Sequence, residues 1–207
     1  MYERNNVVRQ FEKTIANYCG ATYGVAVESC SAALFLACLY CKVKEVIIPK
    51  HTYFSVPAAI VHAGGKVKFS SLHWKGLYQL KPYPIIDSAV RFRKNMYKPG
   101  FFHCLSFQYS KHIPIGRGGM ILTDNRKAAE WFKKMRLDGR KEIPKEKDSV
   151  TSMGYNMYLT SEQAARGLEL FYWRIYNKPN PPDIQMSYVD LSLQPVWMRY
   201  VICQEIR

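Results

Sequence analysis

Apolar side chains at Val7, Val8, Phe11, Ile15 and Ala16 recur at close to helical spacing, which predicts a first helix over residues 6–18 with Gly20 as its C-cap. Gly24-Val25-Ala26-Val27-Glu28 then reads as a short buried strand, Ser31 to Cys41 as a helix, Lys44 to Pro49 as a strand, and Phe54 to Ala63 as a helix stopped by Gly64-Gly65. Further strands are predicted at Lys66 to Ser70, Tyr83 to Ile86, Phe101 to Phe107 and Gly119 to Thr123, and a basic amphipathic helix at Arg126 to Arg136. Thr160 with Gln163 has capping-box spacing and opens a helix running through Leu170. Lys141 to Ser149 reads as an exposed charged loop, and Asn177 to Asp183, rich in proline, as a helix breaker and linker. For Tyr188 to Leu193 and Trp197 to Ile202, strand and helix both stay open. Strands alternating with helices imply an α/β fold with three layers, α/β/α, and a mainly parallel sheet. The expected division is a large domain over 1–176 and a short C-terminal extension over 177–207.

With 207 residues, 48% of them hydrophobic, the chain can bury a substantial core. No stretch reaches the roughly 18 consecutive apolar residues of a membrane span, and the polar start Met1 to Asn6 has no signal-peptide pattern, so a soluble, cytoplasmic protein is expected. Six cysteines are scattered through helix and strand and read as reduced thiols. Cys38 and Cys41 form a lone CxxC without a second pair or suitably spaced histidine, so they read as core packing and no metal is expected. A net charge of +14, concentrated at Arg91, Arg93, Lys94 and Lys98 and from Lys133 to Lys147, attracts polyanions. No helix-turn-helix, RRM or zinc-finger pattern accompanies it, and phosphorylated small molecules draw on the same potential. Direct nucleic-acid binding is therefore not expected.

Three segments carry candidate chemistry. Leu105-Ser106-Phe107-Gln108-Tyr109-Ser110-Lys111, followed by Ile115-Gly116-Arg117-Gly118-Gly119-Met120, places a lysine just past an apolar strand and before a glycine-rich turn. An amine there can lose its charge by desolvation, as a Schiff-base lysine must. Pro84-Ile85-Ile86-Asp87-Ser88-Ala89 delivers a carboxylate at the C-terminal edge of a buried strand, where open α/β sheets gather ligand groups. Ser29, Cys30 and Ser31 precede a helix, whose free N–H groups and dipole favour a phosphate.

Together with Ser29-Cys30-Ser31-Ala32-Ala33-Leu34 and Gly154-Tyr155-Asn156-Met157-Tyr158, these segments resemble, in order, the DegT/DnrJ-type sugar aminotransferases, a branch of the fold-type-I pyridoxal-phosphate (PLP) enzymes. The resemblance runs from about Phe11 to Leu170. It implies the large PLP-binding domain of the aspartate aminotransferase superfamily, with residues 177–207 as the remnant of a small domain. It further implies that Lys111 carries the cofactor and moves the proton, and that Asp87 pairs with the pyridine nitrogen. Ser29, Cys30, Ser31 and Ser106 would hold the phosphate, and Tyr53 would stack on the ring. Asn156 would reach the phosphate across a homodimer interface, making shared active sites.

The chain departs from the family at several positions. Cys30-Ser31 stands where Gly-Thr is usual, Val90 stands where a polar residue contacts the cofactor's phenolic oxygen, and the stretch from His51 to Asp87 is short. The expected function is PLP-dependent transfer of an amino group from an amino acid, glutamate by resemblance, to a nucleotide-linked keto-sugar, as in polysaccharide biosynthesis. The alternative is a PLP-binding relative without efficient transamination that serves regulation or assembly.

Overall fold

A computed structural model of the chain describes residues 4–200. Five α-helices, α1 (Arg4–Cys19), α2 (Cys30–Tyr40), α3 (Ser55–His62), α4 (Arg126–Met135) and α5 (Ser161–Arg174), alternate with seven strands. The strands are β1 (Tyr23–Val27), β2 (Glu45–Pro49), β3 (Lys66–Ser70), β4 (Tyr78–Gln79), β5 (Ile85–Asp87), β6 (Phe102–Ser106) and β7 (Gly119–Thr123). Most predicted elements are present within a residue or two. The capping box of Thr160 and Gln163 starts α5, which runs on to Arg174 because Leu168 and Phe171 continue its buried face.

The main sheet has the order β1-β7-β6-β5-β4. Contrary to the expectation of a mainly parallel sheet, it is mixed and largely antiparallel. Only β5 and β6 pair in parallel, while β1 with β7, β7 with β6 and β5 with β4 are antiparallel. Parallel neighbours need a long crossover between them. The link from β6 to β7 is a turn without a helix, and the tight return at Leu80–Pro84 folds β4 back on β5. The helical crossovers α2 and α3 lead instead to β2 and β3, which form a separate parallel pair joined to the main sheet through reciprocal bonds between Ile47 and Lys81.

Alternation along each strand builds the layers. Val25, Val27, Phe102, Cys104 and Ile121 face α2, α3 and α4, with Cys38 of the CxxC packed among them. Ala26, Leu105, Met120 and Leu122 face α1 and α5. Helices therefore cover both faces of the sheet, as predicted. A buried ion pair ties the layers together: Glu12 of α1 accepts from the Ala26 amide (2.8 Å) and from Arg136, which follows α4 and also donates to Glu142 (2.7 Å). Burial alone would raise the Glu142 carboxyl, but the Arg136 and Arg9 guanidiniums hold it below its ordinary range. The loop after Lys141 is exposed over much of its length, as expected, and is pinned by one of its acids.

The proline-rich segment after α5 is no free tether. Asn180 accepts from the Lys94 amide (2.8 Å), the Pro182 carbonyl from His112 (2.9 Å), and the Val90 carbonyl from the Ile184 amide (2.9 Å). Asp183 is buried and takes a bidentate contact from Arg91 (2.9 and 2.6 Å) and one from Arg93 (3.1 Å). Gly76, at φ +76°, leaves room for that cluster, since a Cβ there would lie 2.4 Å from both Arg91 and Asp183. Further on, Asp190 pairs with Lys50 (2.7 Å). Residues 180–190 thus form a strap across the domain. Beyond it the chain makes 3-10 turns at Leu191–Leu193 and Pro195–Arg199, which answers what pattern left open, while residues 201 and 202 lie outside the described residues.

If Asp183 anchors the strap, Asp183→Ala removes the carboxylate that Arg91 and Arg93 share and costs about 1–3 kcal/mol, a fall of roughly 3–10 °C in Tm for a chain of this size. Limited chymotrypsinolysis should then cut within the strap, after Tyr188, at least about tenfold faster. An unchanged cleavage rate at Tyr188 would show that the strap is held by other contacts.

Candidate active site

The carboxyl end of β5, the turn between β6 and β7, the first turns of α2 and α3, and the strap converge on one cavity of about 400 Å³. Ser29, Cys30, Ser31, Tyr53, Asp87, Ser106 and Lys111 all line it. Asn156 does not. It is exposed on a segment that bridges Leu137 of the same chain.

The turn bearing Lys111 is fixed on both sides. Phe107, Ile113 and Ile115 are buried against the layer of α1 and α5, and the Ile115 amide donates to the Phe107 carbonyl (3.0 Å). With its flanks held in the core, the Lys111 side chain lies partly desolvated in the cavity. Burial pushes its amine below the ordinary lysine range, and the surrounding acids Cys30 and Asp87 oppose that shift. Asp87 shows the converse: burial raises its carboxyl, opposed by the Ala89 amide on Oδ1 (2.9 Å), by the Tyr78 hydroxyl on Oδ2 (2.9 Å) and by Lys111. The two groups are an acid and a base whose charges are destabilised by one shared low-dielectric setting, a pattern typical of functional sites.

The Ser29 hydroxyl accepts from the Ala32 amide (3.0 Å), so it caps α2. That leaves the Cys30 and Ser31 amides as helix-start donors that no intrahelical carbonyl can satisfy. The Ser31 hydroxyl shares a 2.6 Å hydrogen bond with Ser55 at the first turn of α3, so two helix starts and two hydroxyls meet at the cavity. The Cys30 thiol points toward the Cys104 carbonyl (3.6 Å), which turns the extra bulk toward β6. Gly119 permits this assembly, because a Cβ on it would lie 2.4 Å from the Ser29 carbonyl carbon. Tyr53 stands at the rim, 45% exposed and packed on Phe54 (centroids 4.3 Å apart).

Several lining residues escaped sequence reading: Ser55, Trp74, Gln108, Arg117, Met186 and Tyr188. Met186 and Tyr188 arrive on the strap, and Tyr188 stacks on Trp74 with centroids 5.9 Å apart. Burial pushes the Tyr188 phenol up to about 12. Ser55 was findable, since it lies in the first turn of a predicted helix as Ser31 does. Val90 does not line the cavity; it is buried, and its carbonyl anchors the strap. Among the described residues no cluster of His, Cys, Asp or Glu has the form of a metal site, and no helix is long and apolar enough to cross a membrane.

The chain is similar to known proteins over most of its length. The spore coat polysaccharide biosynthesis protein SpsC of Bacillus subtilis (strain 168) is 28% identical over 78% of this chain and 55% of its own length. The structure of Helicobacter pylori PseC, an aminotransferase involved in the biosynthesis of pseudoaminic acid, superposes with a TM-score of 0.67 at 16% identity, covering 79% of this chain and 56% of PseC. Bacillus subtilis NtdA, solved with bound cofactor PMP, gives a TM-score of 0.65 at 19% identity, covering 81% of this chain and 48% of NtdA. The chain thus spans about half the length of the curated relatives it matches. Residues 1–85 and 93–171 match a single family profile, with Asp87 in the short gap between the two stretches. By that match, the chain belongs to the DegT/DnrJ/EryC1/StrS aminotransferase family.

Proposed function

We propose that this chain holds pyridoxal phosphate and transfers an amino group from an amino acid, glutamate in this reading, to a nucleotide-linked keto-sugar. The observation that carries the reading is the convergence of Lys111, Asp87 and the first turn of α2 on one cavity. The donor set fits the cofactor's three polar groups. Two helix starts with the Ser31, Ser55 and Ser106 hydroxyls suit a phosphate, a buried carboxylate suits a pyridinium, and a desolvated amine suits an aldehyde. When bound, the cofactor supplies the carbonyl that carries the amino group and a ring that takes up the electron pair released at the donor's α-carbon.

This chain's own residues do the rest. Lys111 anchors the cofactor, and its amine, whose charged form desolvation disfavours, takes the proton from the donor α-carbon and returns it once it is released. Asp87 keeps a proton on the ring nitrogen, and Tyr53 restrains the ring plane. The strap residues Met186 and Tyr188 with Trp74 wall the cavity and exclude water. The five described cysteines are unpaired, which supports a reducing, cytoplasmic setting. Asn156 is exposed and outside its own chain's cavity, which supports its use by a second copy in a homodimer with shared sites. The second reading, a cofactor-binding relative without efficient turnover, is favoured by one observation: Val90 offers the cavity no polar contact.

Titration with pyridoxal phosphate should produce a visible band that glutamate converts to the pyridoxamine form, and Asp87→Asn should bind cofactor yet slow that conversion by about 10²-fold or more. A band that forms and never shifts selects the second reading; no band at all refutes both. Cofactor should also strengthen dimerisation, because a ligand held by both subunits favours the dimer. Asn156→Ala removes one phosphate hydrogen bond, about 1 kcal/mol or somewhat more, so affinity should fall several-fold. In sedimentation velocity, a monomer that binds cofactor at full affinity would rule out the shared site.

A further inference from the structure

The antiparallel return from β4 to β5 sets Tyr78 directly opposite Asp87, and Tyr78 is buried behind the cavity without lining it. Its hydroxyl donates to Asp87 Oδ2 at 2.9 Å. Behind it, Thr52 Oγ1 lies 2.5 Å from the same phenolic oxygen. Since the Tyr78 proton is directed at the carboxylate, Thr52 is the donor in that second bond, and the two hydroxyls form a chain running from Thr52 through Tyr78 to Asp87. A phenol whose oxygen already accepts a hydrogen bond donates more strongly. The other carboxylate oxygen is held by the Ala89 amide, so both oxygens are fixed in direction.

We propose that Tyr78, backed by Thr52, is a positioning residue that keeps the Asp87 carboxylate charged and aimed into the cavity. The inference deepens the reading of Asp87 as the ring-nitrogen partner and rests on it for its functional meaning, although the effect on Asp87 itself can be measured without cofactor. The other groups that face Asp87 electrostatically are Cys30 of α2, Cys104 of β6, Lys111 of the β6–β7 turn and Tyr188 of the strap. Burial pushes both thiols and the Tyr188 phenol up, so they stay neutral at physiological pH. Lys111 is thus the one cation in that set, and it is itself discouraged from carrying charge by burial. Hydrogen bonds from Ala89 and Tyr78 therefore carry much of the work of opposing desolvation. The Tyr78 ring also packs on Trp74 (centroids 4.7 Å apart), a contact that phenylalanine would keep. Removing the hydroxyl alone separates positioning from packing.

The test is the titration of Asp87 in the cofactor-free 207-residue chain, followed by ¹³C NMR of labelled aspartate carboxyls and assigned by the resonance lost in Asp87→Asn. Tyr78→Phe should raise the Asp87 midpoint by about one pH unit, and Thr52→Val should move it the same way by less. With pyridoxal phosphate added, both variants should bind several-fold more weakly. An Asp87 midpoint unchanged in Tyr78→Phe, even with a lowered Tm, would overturn the proposal and leave Tyr78 a packing residue. Should Tyr78→Phe fail to fold, an unmoved midpoint in Thr52→Val overturns it equally. If the wild-type chain takes up no pyridoxal phosphate while the midpoints shift as expected, the positioning role stands and the functional reading falls.

Discussion

Two backbones meeting at the limit of contact set the geometry of this molecule. β7 begins at Gly119 so close to the peptide of Ser29 that no side chain fits between them. That approach brings the turn bearing Lys111 against the first turn of α2. The register of β5 with β6, which sets Asp87 beside Cys104, brings in the carboxylate. Two main-chain relations thus fix an amine, an acid and a helix start around one cavity, and side-chain packing only needs to hold them there. Any residue larger than glycine at position 119 must push the α2 start or β7 away, opening the cup that the site depends on.

Desolvation is the second constraint, and it acts on both key charges in opposite senses. Burial lifts Asp87 and lowers Lys111, so each moves toward neutrality, and each partly rescues the charge of the other. A polar constellation of this kind costs stability in the cofactor-free chain, as functional sites commonly do. The Glu12–Arg136–Glu142 cluster and the Arg91–Asp183–Arg93 cluster are both well hydrogen-bonded, and they clamp the sheet, α1 and the strap around it.

Much of this was legible in the sequence because it is local. Helical periodicity located α1 to α5, the capping box of Thr160 and Gln163 located the start of α5, and the strand ends before Asp87 and Lys111 pointed to two residues that line the cavity. What escaped is long-range or very short. Strand direction depends on which distant strands pair, and helical alternation around α2 and α3 said nothing about β1 pairing with β7 across the domain. β4 has two residues, too few for any period, so its Tyr78 could not be tied to Asp87. The strap reads as linker because proline and asparagine mark loops. Its docking comes from Asp183 finding Arg91 and Arg93 more than eighty residues earlier, a pairing that charge counts along the chain do not reveal.

In the proposed function the amine of Lys111, among the many lysines of this basic chain, is the one that bonds the cofactor. Borohydride reduction of the protein mixed with pyridoxal phosphate, followed by peptide mass mapping, tests it directly. The account predicts that the cofactor's mass is fixed on the peptide containing Lys111 at low cofactor excess, and that Lys111→Ala abolishes the specific label. Labelling spread over surface lysines, or concentrated on a different one, would contradict it.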